Sequence, residues 1–137
     1  MKGTFIVIEG MDGSGKETQA HLLVSHLEKN GQPVMYLDFP QYEGFFGKLV
    51  AAYLRGEYGP IGQSYPFLVS IIYALDRTTI KEKVESFLQS GGTVIANRYV
   101  PSNIAHQAAN IADPAKQKEF IEWVARLEYE ELDLPRE

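Results

Sequence analysis

Thr4-Phe5-Ile6-Val7-Ile8-Glu9-Gly10-Met11-Asp12-Gly13-Ser14-Gly15-Lys16-Glu17-Thr18 sets two patterns end to end near the start of the chain. Thr4–Glu9 is a continuous apolar run, which predicts a strand buried on both faces and therefore a parallel sheet. Gly10 to Lys16 then matches the Gly-x-x-x-x-Gly-Lys spacing of a Walker A loop, between a strand and a helix. The glycines let the backbone curl so that successive N–H groups face inward toward phosphate oxygens. The helix N-terminus adds partial positive charge, and Lys16 supplies a point charge for the β/γ-phosphates. The plainer reading, a Gly-rich turn with a surface lysine, leaves the placement of the motif unexplained.

Outward from this loop, strand and helix patterns alternate, the mark of an α/β fold with a parallel sheet. A helix is predicted over Lys16–Asn30, with Ala20, Leu23 or Val24, and Leu27 facing inward and Gly31 as its stop. Strand two is Val34–Asp38, followed by Phe39-Pro40, and a helix over Phe46–Arg55 leads into a turn-rich connector, Gly56 to Gly62. One long helical segment, Pro66–Gln89, is expected to kink near Thr78-Thr79 and to end at Gly91-Gly92. Strand three is Thr93–Ala96, and a short helix covers Ser102–Ile111. The last helix runs from Asp113-Pro114, an N-cap with proline at the first position, to Glu131. The first strand is expected at the centre of the sheet, and three strands with a linker-like ending at Leu132–Glu137 read as a chain truncated at its C-terminus.

Composition bounds the function classes. The 137 residues suit one domain, and no cysteine is present, which removes thiolate catalysis, disulfides and Cys-ligated metals and fits a cytoplasmic setting. The net charge of -5 is dispersed, with no basic tract for nucleic acid. Phe67–Leu75, the longest apolar stretch, is too short to span a membrane. Apolar faces around Phe45–Leu54 and Phe67–Ile72 are candidates for a homodimer contact, although core packing accounts for them equally well.

Glu17 stands where such loops place a Ser or Thr hydroxyl toward Mg²⁺. A carboxylate about 5 Å from a phosphate charge costs on the order of 3 kcal/mol at an effective dielectric near 20. With Mg²⁺ between them the sign reverses, and Glu17 becomes a ligand of the metal or its water. Alternatively Glu17 faces solvent and favours the helix dipole by about 0.3–1 kcal/mol. Both readings stand.

The loop Gly10 to Gln19, Asp38-Phe39-Pro40-Gln41-Tyr42, Tyr73-Ala74-Leu75-Asp76-Arg77 and Asn97-Arg98-Tyr99-Val100-Pro101-Ser102-Asn103 occur in that order. Together they resemble the thymidylate kinase (dTMP kinase) family of P-loop nucleoside monophosphate kinases. The resemblance implies a P-loop three-layer sandwich that transfers the ATP γ-phosphoryl group to dTMP with Mg²⁺. It implies one kinase domain over residues 1–137, whose family continues into further strands and a lid. ATP would lie on Gly10, Met11, Asp12, Gly13, Ser14, Gly15, Lys16, Glu17 and Thr18, with Asp12 and Glu17 toward the metal. Asp12, Lys16 and Arg98 would carry the chemistry, Arg98 by bridging the reacting phosphates. Phe39, Pro40 and Tyr42 would line the acceptor, Tyr42 beside its phosphate. Tyr73 and Arg77, four apart on one helix face, would stack and read thymine, with Asn103 and His106 facing base and sugar. Burying the 5-methyl group is worth only about 0.8 kcal/mol, so discrimination against uracil should be modest. Other outcomes remain: a kinase for another nucleoside monophosphate, or a silent nucleotide-binding or dimerisation module.

Departures from the family pattern are informative. An arginine is frequent at or near Gln41-Tyr42, and the residue before Arg98 is usually Asp where this chain has Asn97. Gly13-Ser14 leaves no arginine inside the loop, so a catalytic one would come from the lid, and turnover by the 137-residue chain is expected to be weak or absent. One acid is thus lost at residue 97 and one gained at residue 17. If they compensate, the double variant Glu17→Ser/Asn97→Asp recovers activity that either single variant loses, as measured by dTDP formation. A double variant no better than the worse single one refutes compensation.

Overall fold

Parallel pairing sets the frame. In the computed structural model, which describes residues 3–60 and 65–137, β1 (Thr4–Ile8) and β2 (Val34–Asp38) both pair with β3 (Thr93–Asn97). The order is β1-β3-β2, so β3, not the first strand, is central among the described strands. Burial follows position: Val94, Ile95 and Ala96 are fully buried, whereas the apolar residues of β1 are only half-buried. The expectation of burial on both faces therefore belongs to β3. Its register aligns Ile8, Asn97 and Asp38 in one row, which brings the three C-terminal strand ends together.

The helices are α1 (Lys16–Lys29), α2 (Phe45–Leu54), α3 (Pro66–Thr78), α4 (Lys81–Gln89), α5 (Val100–Ala108) and α6 (Pro114–Arg126). A π-helical turn, Leu127–Glu131, extends α6 where a regular helix is expected. The single long segment after Pro66 is in fact two helices. At the end of α3 the Thr78 hydroxyl donates to Leu75 O and the Thr79 hydroxyl to Asp76 O, each at 2.7 Å, pulling the last turn away from a straight continuation. Of the expected connector, Ile61 and Gly62 lie outside the described residues. Asp113 caps α6 as its sequence implies, accepting from Ala115 N at 2.9 Å and Lys116 N at 3.4 Å.

The chain divides into two compact units. The first comprises the residues up to Phe39, Ile80–Tyr99 and Pro135–Glu137 and holds the sheet with α1 and α4. Ala20 of α1 is fully buried, and Tyr99 packs on Phe5 and Phe39 with ring centroids 4.9 and 5.6 Å apart. The second comprises Pro40–Thr79 and Val100–Leu134 and is helical. Its core joins Phe120 and Val124 to Ala108, Ile104, Ile111 and Trp123, with Phe67 meeting Phe120 edge-on at 5.1 Å. Among the described residues no helix is long and apolar enough to cross a membrane.

Gly47 is buried in α2, and a Cβ there would run into the Gln41 carbonyl. Gly47→Ala is expected to destabilise the chain by about 1–3 kcal/mol. Asp113→Ala, which removes only a cap, should cost about 1 kcal/mol. Urea unfolding of the two variants beside the parent chain checks the order.

Candidate functional site

In the first unit the phosphate-type loop has the required backbone. Gly13 (φ 76°) and Gly15 (φ 86°) are left-handed, a conformation that side-chain-bearing residues resist. Ser14 N closes on Met11 O at 3.2 Å, and Gly15 is the N-cap of α1, leaving the first N–H groups of that helix for an anion. Lys16 Nζ folds back to Met11 O at 3.3 Å and to Asp12 Oδ1 at 3.2 Å. Arg98 Nη2 reaches the same Asp12 oxygen at 2.6 Å. Asp12 thus bridges the two cations, and the hydrogen bond from Arg98, then that from Lys16, holds its carboxyl below the usual carboxylate range. The Asp12 side chain is 92% exposed, so water and salt screen both contacts, and a stronger anion can replace it.

Arg98 is held in this position by its backbone. Its φ is 67°, unusual for a residue with a side chain, and its N–H donates to Ile8 O at 3.1 Å. Such a conformation costs of order 1–3 kcal/mol and collects at functional positions. The next N–H, of Tyr99, donates to Glu9 Oε1 at 2.9 Å, fixing the chain on both sides of the arginine.

The row of strand ends adds a group that the sequence did not single out. Asn97 Nδ2 donates to Asp38 Oδ1 at 3.0 Å. Burial pushes the Asp38 carboxyl up, and the negative charge of Glu17 pushes it further. Glu17 therefore acts on a second carboxylate, and its side chain also stands 3.9 Å from His21 Nε2. Asn97, which stands where the resembled family usually has an acid, is a donor to one. The acidic pair Glu17 and Asp38 could have been suspected from their places at the helix start and strand end.

In the second unit the candidates divide. Tyr42 and His106 are exposed, Pro40 and Tyr73 are half-buried, while Arg77 and Asn103 are buried. Phe39, in the first unit, is buried against Tyr99. Gln41, which stands where an arginine is common, is a tether: its N–H donates to Asp76 Oδ2 at 2.8 Å, and its side-chain amide to Asp76 O and Thr79 Oγ1. Arg77 is buried and paired inside. Its Nη1 donates to Glu128 Oε2 at 2.8 Å, to Glu128 Oε1 at 3.1 Å and to Tyr73 O at 3.1 Å. Asn103 Nδ2 donates to the same Glu128 Oε1 at 2.8 Å and to Ser70 O at 3.2 Å. Asn103 Oδ1 and Ser70 Oγ are buried without a hydrogen-bond partner among the described residues. Each such atom costs roughly 1–3 kcal/mol until something supplies the missing bond.

Glu128 was missed from the sequence, yet a signal exists. Phe120 and Val124 are fully buried on one stripe of α6, and Glu128 continues that stripe at the next four-residue step. A carboxylate there has to be paired inside. The π-helical turn, closed by Leu132 N to Leu127 O at 2.9 Å, carries it.

Among known proteins, the family model described as thymidylate kinase matches residues 8–123. Thymidylate kinase of Mycobacterium tuberculosis (strain ATCC 25618 / H37Rv) is 34% identical over 132 residues, covering 96% of this chain and 61% of its own length. That of Plasmodium falciparum is 34% identical over 107 residues, 78% of this chain and 49% of its own. The structure of thymidylate kinase from Candida albicans superposes with a TM-score of 0.74 at 25% identity, covering 90% of this chain and 56% of that one. The chain thus spans about three-fifths of the length of these relatives or less.

Burial raises the Asp76 carboxyl, only partly offset by the hydrogen bond from Gln41 N. A raised folded pKa means that stability is greatest below the unfolded value near 3.8 and falls as pH rises through the folded one. Asp76→Asn keeps an acceptor for Gln41 N and removes the charge. Its melting temperature is expected to exceed the parent's at pH 7, and the gap to close below about pH 4. Thermal melts from pH 3 to 8 read this directly.

Proposed function

The chain belongs to the thymidylate kinase family, and on that footing we propose that it works in phosphoryl transfer from ATP to dTMP, giving ADP and dTDP in the cytoplasm. The observation that carries this reading is the loop before α1, with two left-handed glycines, an inward-folded Lys16, and Arg98 drawn to the same Asp12 oxygen. In the reaction, a dTMP phosphate oxygen forms a bond to the γ-phosphorus as the bond from that phosphorus to the β–γ bridging oxygen breaks.

Residues Gly10 to Thr18 hold the ATP phosphates, with backbone N–H groups as donors and Lys16 as the fixed charge. Arg98 exchanges Asp12 for phosphate oxygens and neutralises charge that grows during transfer. Asp12, released, takes the acceptor sugar hydroxyl. In the second unit, Tyr73 stacks on thymine, Arg77 and Asn103 read its edge, Tyr42 with Pro40 lies toward the acceptor phosphate, and His106 faces the sugar.

The residues fit Mg²⁺. This ion usually takes one or two protein carboxylates and completes its shell with phosphates and water, so it needs no protein cage. Among the described residues there is no cluster of three or more metal-binding side chains, but Glu17 already raises the Asp38 carboxyl, a repulsion that a divalent cation relieves. Glu17 and Asp38 would hold it, with Asp12 toward its water shell, and it would supply charge neutralisation for the ATP phosphates.

Calorimetry with an ATP analogue and Mg²⁺, beside a chromatographic assay for dTDP, tests the reading. Binding is expected, with Lys16→Ala weakening it at least about tenfold. Turnover is expected to be weak or absent, and any product to depend on Lys16 and to favour dTMP over dCMP or dAMP. No binding of the analogue would overturn the reading, and faster product from another monophosphate than from dTMP would point to a kinase for that acceptor.

A further inference from the structure

Glu128 is fully buried and accepts from two side chains at once: Arg77 Nη1 at 2.8 and 3.1 Å, and Asn103 Nδ2 at 2.8 Å. The second proton of Asn103 Nδ2 goes to Ser70 O at 3.2 Å. Both amide protons of Asn103 are therefore given away inside the unit, to acceptors that cannot donate in return. Turning the amide over would set its oxygen against the Glu128 carboxylate and the Ser70 carbonyl, two acceptors against a third. One orientation survives. Its Oδ1 is buried and makes no hydrogen bond among the described residues, so the polar capacity left on Asn103 is that of an acceptor alone.

From this arrangement we infer that Glu128 is a positioning residue that sets base specificity by fixing the Asn103 amide and the Arg77 guanidinium. The inference rests on the proposed function and deepens it. A locked acceptor at Asn103 suits a ring N–H, which thymine and uracil carry at N3 and cytosine lacks. A guanidinium suits the O4 carbonyl of thymine and uracil and repels the N4 amine of cytosine. Specificity of this kind comes from leaving a wrong partner with buried groups that cannot pair. The 5-methyl group plays no part in it, so the lock separates thymine and uracil from cytosine and not from each other.

The π-helical turn is the device that delivers the carboxylate. Glu128 sits second in Leu127–Glu131, and its own carbonyl accepts from Leu134 N at 2.9 Å, so both side chain and backbone are held. A glutamine at this position can donate as well as accept, which lets the Asn103 amide turn over and offer a proton to cytosine N3.

The experiment measures binding of dTMP, dUMP and dCMP by calorimetry to the parent chain and to Glu128→Gln, with an ATP analogue as the control ligand. The parent is expected to prefer dTMP and dUMP over dCMP by at least about a hundredfold, and the variant by about tenfold less, with analogue affinity unchanged. A variant that weakens all monophosphates equally, with the ratio intact, overturns the inference while leaving the proposed function in place. A parent chain that binds the analogue but no monophosphate overturns both. Should Glu128→Gln fail to fold, NMR of the unaltered chain decides. The Asn103 side-chain amide protons should be protected from solvent exchange before and after dTMP binds, and the thymine imino proton should become protected on binding. Asn103 amide protons that exchange freely in the unliganded chain refute the lock.

Discussion

Everything chemical in the first unit depends on β3 pairing in parallel with both of its neighbours. Parallel strands in one register end together, so Ile8, Asn97 and Asp38 share a row, and the loops that leave them start from the same edge. That edge gathers Asp12 and Lys16 from one connection, Arg98 from another and Asp38 from a third. A shift of β3 by one residue would break the Asn97 contact with Asp38 and carry Arg98 away from Asp12, with no change in any of those side chains.

The glycine loop, the strand before it and the helix after it were legible because their signals are local. Gly13 and Gly15 announce left-handed backbone, and Asp113-Pro114 announces a helix start, each from neighbours in sequence alone. Strand order was not legible, since β1 and β3 are similar apolar runs and nothing in either says which has two partners. The break after Thr78 was half visible as a kink, and the two threonine hydroxyls that turn back onto Leu75 and Asp76 explain why it becomes a full stop.

The buried polar set in the second unit was hardest to read. Arg77 and Asn103 could be picked out by resemblance, but the carboxylate that organises them lies 51 residues beyond Arg77 and 25 beyond Asn103. Long-range pairs of this kind leave no periodic trace. What the sequence does contain is an acid on an apolar stripe, easily taken for a solvent-facing position because α6 is otherwise rich in charge. Gln41 is a related case. Read as a missing arginine, it is a tether whose backbone and side chain both bind around Asp76, so its contribution is to hold the segment after β2 onto α3.

The bridge from Asp12 to Lys16 and Arg98 has a consequence for how the loop responds to ionic strength. A pair of bare cations draws a cloud of mobile anions, and a polyphosphate that displaces the cloud binds much more weakly as salt is added. Here the counter-anion is part of the chain, tethered within 3.2 Å of both charges. An arriving polyphosphate exchanges with a carboxylate that swings away into water, and few dissolved ions are set loose in the trade. The loop is in effect pre-neutralised, and its grip on an anion should vary with background electrolyte less than two adjacent cations would suggest.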